Sequence, residues 1–177
     1  MPPGSASTPT RCCRPCSPWP PRRSLVSGPR PSSERGLVCI DSSALVKLVV
    51  DEPGSEVVVA LWNGCDAALS SRLAHPEVCA ALASAGRNHD LTRSEAGAAR
   101  EEWEAFWSAM RPVELSTEVE RLAGELAAVH ALRGADAVHL ASALILGDAA
   151  LTVTVWDRRL HAAATAAGLA VAPATIH

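Results

Sequence analysis

The chain has 177 residues, 48% hydrophobic and 20% charged, which suits one globular domain with a real core and leaves little room for two. Its net charge of −3 is unevenly spread: residues 1–36 carry six Arg and one Glu, whereas the other 141 carry 10 basic and 18 acidic groups. So acidic a body is a poor general binder of nucleic acid, whose phosphates call for Lys and Arg, and no apolar run reaches the roughly 18–20 residues that span a bilayer.

Residues 1–36 hold nine of the 13 prolines, with many Ser and Arg. Such a stretch buries too little apolar surface to offset its ordering entropy, so it is expected to be a disordered tail preceding a folded domain over residues 37–177. It lacks the apolar segment of a secretory signal. Cys13-x-x-Cys16 has no second pair and no His partner, so no zinc site is expected there. The scattered cysteines read as free thiols of a reducing cytoplasm.

From Leu37 onward, strands and helices alternate. Leu37–Ile40 reads as a short buried strand and Ser43–Val50 as a helix. The "DEPGS" at residues 51–55 breaks that helix and starts another, running to about Trp62. Ala67–Ser70 is a second strand. Pro76 suits a first helical turn, after which Val78, Ala81, Leu82 and Ala85 line one face. Residues 91–110 form a long amphipathic helix, and Val113–Leu115 a third strand. Ser116 caps a helix over Glu118–Leu132. Ala135–Leu146 is apolar nearly all round and should be largely buried. Leu151–Trp156 is the clearest strand, Asp157–Ala167 a helix stopped by Gly168, and Ala170–Ala172 a last strand. The alternation predicts an α/β fold whose parallel sheet is covered on both faces.

Chemistry in such folds gathers at the carboxyl ends of the strands. Asp41 ends the first strand and Asp157 the Leu151–Trp156 strand. Glu77 and Asp136 lie in first turns of helices. Parallel topology therefore brings all four acids to one sheet edge. Each alone has an ordinary role, since an acid in a first turn complements the helix dipole for ~0.3–1 kcal/mol, and an Asp N-cap is worth about 1 kcal/mol over Ala. Together they are harder to dismiss. Asp136 opens the most apolar helix of the chain, "DAVHLASALIL", where an unpaired acid is costly. Clustered carboxylates cannot all ionise without compensation, and a hard, oxygen-loving ion such as Mg²⁺ or Mn²⁺ supplies it. The ion, in place of a basic patch, would then give the local positive field for a phosphate.

With these residues in view, the chain resembles the PIN-domain family, and within it the VapC-type toxin ribonucleases, over about residues 37–176. The resemblance rests on "IDSSALVKLVVDEPGS", "SSRLAHPEVCAAL", "GADAVHLASAL" and "TVWDRRLHAAATAAGLAV". It implies a three-layer α/β/α sandwich and a Mg²⁺- or Mn²⁺-dependent endoribonuclease, the toxin of a toxin–antitoxin pair. It implies that Asp41, Glu77, Asp136 and Asp157 are the metal-site and catalytic residues. RNA is then the substrate, a cognate antitoxin and a second copy of the chain the partners, and the cytoplasm the location, with no membrane involved. The expected chemistry is attack by an activated water that leaves a 5′-phosphate and a 3′-hydroxyl. One departure stands out: where the family often has a hydroxyl two places before the fourth acid, this chain has Val155.

Other side chains near these motifs have plainer readings. Ser42 and Ser43 are helix-capping hydroxyls, and Lys47 a solvated side chain or ion-pair partner. His139, at i+3 from Asp136, is a hydrogen-bonding core residue, and Arg158 and Arg159 are surface charge. The alternative to the nuclease is a non-catalytic binding module on the same fold, with the metal site unused.

Overall fold

The computed structural model describes residues 36–176, so the expected disordered tail lies outside the described residues. Among those residues the chain runs β1 (Leu37–Ile40), α1 (Ser42–Val49), α2 (Ser55–Gly64), β2 (Ala67–Ser71), α3 (Ala74–Arg87), α4 (Arg93–Ala109), β3 (Arg111–Val113), α5 (Thr117–His130), α6 (Gly134–Ile145), β4 (Thr152–Thr154), α7 (Arg158–Ala166) and β5 (Ala170–Ala172). The strands form one sheet in the order β3-β2-β1-β4-β5, and every neighbouring pair is parallel. The chain winds one way from β1 to β3 and then returns to the other side of β1. The reversal falls between β1 and β4, where a doubly wound sheet opens a crevice at its carboxyl edge.

Side-chain alternation along β1 divides the core. Val38 and Ile40 pack with α1–α4 residues such as Leu45, Val58, Val78 and Trp103. Cys39 turns to the opposite face and packs with Val119, Leu140, Val153 and Leu160 of α5–α7 and β4. The period of two along a strand thus makes the three-layer α/β/α sandwich expected. Burial pushes the Cys39 thiol up to about 12, with the Asp41 charge adding to the effect, so this cysteine is packing and not reagent.

Three strands differ from their expected bounds, β2 only in running one residue further, to Ser71. β4 covers Thr152–Thr154 and not the whole of Leu151–Trp156. Beyond it the Val155 N–H still reaches the Ala172 carbonyl, but the Trp156 N–H turns to the Ser43 hydroxyl. β3 begins at Arg111 and ends at Val113. Its register pairs Leu69 with Arg111 and Ser71 with Val113, which leaves Glu114 free to pair with Arg72. Pro112, lacking an N–H, is tolerated because β3 is an edge strand.

Candidate active site

Asp41 follows β1 directly. Its N–H donates to the Thr154 carbonyl of β4 across the switch point, 3.1 Å. Its side chain is the N-cap of α1, with Oδ1 accepting from the Ala44 N–H at 2.9 Å. The Ser43 hydroxyl lies 3.0 Å from Oδ1 and 2.9 Å from Oδ2. Capping and site formation therefore coexist in one residue. Asp41 is 6% exposed. Burial lifts its carboxyl from 3.8 to about 6, against the opposing pull of His139, the Ala44 N–H and Ser43.

Asp157 repeats the pattern after β4. Oδ1 caps α7 by accepting from the Arg159 and Leu160 N–H groups, 2.9 and 3.0 Å. Oδ2 accepts from Arg133 Nη2 at 3.3 Å. Arg133 also donates Nε–H to Asp136 Oδ2 at 2.9 Å. Asp136 stands in the first turn of α6, so one guanidinium bridges two of the acids.

Glu77, in the first turn of α3, reaches His139 of α6: Nε2 and Oε2 are 2.7 Å apart. Burial alone would raise the Glu77 carboxyl. The His139 hydrogen bond and charge, the Ser42 hydroxyl and the Arg133 charge outweigh it and hold the group below the usual glutamate range. His139 is 6% exposed, so the core-histidine reading holds, with a partner 62 residues away in sequence.

All four sequence-predicted acids line a single cleft of about 540 Å³, together with Ser42, Ser43, Lys47, Glu52, Arg133 and Trp156. Among the described residues, however, no three of these acids bring ligand oxygens to within 4.8 Å of one another. The Arg133 guanidinium stands between two of them. The donor set suits a hard cation, being carboxylate oxygen throughout. Acidic side chains in the lining outnumber basic ones, five (Asp41, Glu52, Glu77, Asp136, Asp157) to two (Lys47, Arg133). The buried Asp41 carboxylate, lifted to about 6 by desolvation, is the kind of perturbed group that gathers at functional sites.

Lys47 resolves as an ion-pair partner: Nζ lies 2.9 Å from Glu52 Oε2, with the side chain 10% exposed, and 5.3 Å above the Trp156 ring. Val155 is wholly buried in the α5–α7 core, so that position faces packing and not the cleft. Arg158 and Arg159 are exposed, as expected. Arg133 is a charged cleft residue that sequence reading missed. Its signal was present, since a cation at a helix N-terminus opposes the macrodipole and so asks for a local acidic partner.

A family model described as PIN domain matches residues 38–165. Ribonuclease VapC45 of Mycobacterium tuberculosis (strain CDC 1551 / Oshkosh) is 66% identical over 140 residues, which cover 79% of this chain and 97% of the relative. Among solved structures, FitAcB from Neisseria gonorrhoeae aligns with a TM-score of 0.58 at 19% identity, over 76% of this chain and 95% of its own. A toxin-antitoxin complex from Klebsiella pneumoniae aligns with a TM-score of 0.51 at 17% identity, over 68% and 86% of the two chains. At these identities the two structures bear on the fold alone.

Proposed function

The chain belongs to the PIN domain family, and from that premise we propose that it is a metal-dependent endoribonuclease acting as the toxin of a toxin–antitoxin pair. One observation carries the reading: four acids from four separate segments line one cleft at the carboxyl edge of the sheet, in a chain 66% identical to a named ribonuclease.

Asp41, Glu77, Asp136 and Asp157 would hold Mg²⁺ or Mn²⁺. When bound, such an ion polarises a phosphate oxygen and acidifies a water for in-line attack. The chain's own groups prepare the place. Ser43 and the Ala44 N–H fix the Asp41 carboxylate. His139 fixes Glu77 through Oε2, and so fixes the direction of Oε1. Arg133 neutralises Asp136 and Asp157 while its side chain stays 71% exposed, within reach of an incoming RNA phosphate. Hydrolysis of the phosphodiester by water would leave a 5′-phosphate and a 3′-hydroxyl.

The reading brings three further expectations. A cognate antitoxin covers the site, as the resemblance to VapC-type toxins implies. The chain forms a homodimer, checked by sedimentation. It acts in the cytoplasm. Among the described residues no helix is long and apolar enough to cross a membrane.

The test is cleavage of RNA by the purified protein in Mg²⁺ or Mn²⁺, with and without EDTA. Wild type should cut only with metal. Asp41→Asn, folded by circular dichroism, should lose at least about 100-fold activity, taking the upper end of what perturbing a metal shell costs. Equal cleavage in EDTA would overturn the metal-dependent reading. Absence of cleavage with metal would leave the non-catalytic binding module in its place.

A further inference from the structure

Glu77 is flanked on α3 by two other ligating side chains that the cleft does not use. His75 and Cys79 are four residues apart and share a helix face. Glu77 lies two residues from each, about 200° round the helix, and looks into the cleft. His75 and Cys79 instead meet α4. His75 Nδ1 is 3.9 Å from Cys79 Sγ, and His75 Nε2 is 3.4 Å from a Glu104 carboxylate oxygen. One ligand atom from each of the three residues lies within 4.8 Å of the other two. Among the described residues this is the tightest such trio, closer than any three of the cleft acids.

The surroundings hold the imidazole in place. Its ring centroid lies 5.9 Å from that of Trp103 and 5.2 Å from that of Trp107, and Trp103 is wholly buried. The His75 side chain is 33% exposed and that of Glu104 53%, so an ion from solvent can reach both. The donor set is one imidazole nitrogen, one sulfur and one carboxylate oxygen. That is borderline-soft chemistry, suited to the zinc class and unsuited to Mg²⁺. Three protein ligands and a water complete a tetrahedron.

We propose that His75, Cys79 and Glu104 form a second metal site, for a zinc-class transition ion, that clips α3 to α4. The clip fixes the turn of α3 that carries Glu77, while being chemically distinct from the all-oxygen cleft. It stands independently of the nuclease reading, because it draws on none of the cleft residues.

The experiment titrates Co²⁺, an optical stand-in for zinc, into the reduced full-length chain. One equivalent should give a near-ultraviolet thiolate-to-cobalt charge-transfer band and quench the emission of Trp103 and Trp107. Both signals should persist in Asp41→Asn, which removes one of the four proposed cleft ligands, and in a chain with Cys12, Cys13 and Cys16 changed to Ser. The band should vanish in Cys79→Ser and His75→Ala. Because His75 packs against buried indoles, its variant can fail to fold. Glu104→Gln, on the surface, covers that case and should weaken Co²⁺ binding at least about 10-fold with the metal-free melting temperature unchanged. A band that survives Cys79→Ser, one that disappears with the tail cysteines, or unaltered affinity in Glu104→Gln would each overturn the site.

Discussion

At Asp41 the helix cap and the cleft draw on the same carboxylate, and the result has a measurable pH signature. The group titrates at 3.8 when solvated and at about 6 in the fold. Between these values the folded state holds more protons than the unfolded one. Stability from this group is therefore complete below about pH 4 and lost as pH rises through about 6, by on the order of 3 kcal/mol. Asp41→Asn keeps a good N-cap and removes the titration. In EDTA, its stability advantage over wild type should grow across pH 4–6.5 in urea melts; a flat difference would contradict the buried-carboxylate account. Glu77 has the opposite sign: its carboxyl is held low, so its contribution is present above the ordinary glutamate value and fades on acidification. Arg133 offers a second residue-scale check. Arg133→Gln leaves Asp136 and Asp157 without their shared cation, so the metal-free melting temperature should fall and the rise on adding Mn²⁺ should increase. Equal Mn²⁺ increments in both proteins would show that Arg133 and the ion do not occupy the same electrostatic place.

At the scale of elements, the helices were legible because their signals are local. Thr92 and Glu95 form the capping box that starts α4, Ser116 caps α5, and Gly168 with φ +82° stops α7. The apolar run of α6 became the expected buried helix, in which Leu140 is 1% exposed. Leu140→Ala should cost about 2–5 kcal/mol by urea denaturation; a cost below about 1 kcal/mol would mean that α6 is not the packed element described. Strand ends were less legible, because partners far away in sequence decide them. Trp156 leaves the sheet for Ser43, and Glu114 leaves it for Arg72. The bond from His139 to Glu77 was hidden for the same reason. Position i+3 put His139 on the face of Asp136, but only the sheet edge at which α6 and α3 meet from opposite layers chooses its carboxylate. The break at "DEPGS" was readable, though not what it supports. Gly54 has φ +96°, and an added Cβ would lie 2.7 Å from the Trp156 ring that lines the cleft. Gly54→Ala should therefore lower the melting temperature and shift Trp156 emission, whereas a wild-type melt and spectrum would contradict this contact.

Across the molecule, a sheet order of β3-β2-β1-β4-β5 does what no single motif can. It sets the ends of β1 and β4 side by side, bringing Asp41 and Asp157 to one crevice although 116 positions separate them. α3 and α6 then deliver Glu77 and Asp136 from the two helical layers. Sequence reading reached the common edge, because parallel topology follows from the alternation of strands and helices. It did not reach the arrangement within the cleft, where Arg133 bridges Asp136 and Asp157 and His139 pairs with Glu77. On the proposed reading the acidic body is consistent with this design, because a nuclease whose positive field came from a bound ion would have less need of a basic surface. The most direct measurement of the central claim is anomalous diffraction from crystals soaked in millimolar Mn²⁺. The account predicts a peak in the cleft, bonded to Asp41 and to at least one of Glu77, Asp136 and Asp157, and lost in Asp41→Asn. Anomalous peaks found only elsewhere, with these four carboxylates still paired to Arg133, Ser43 and His139 alone, would contradict it.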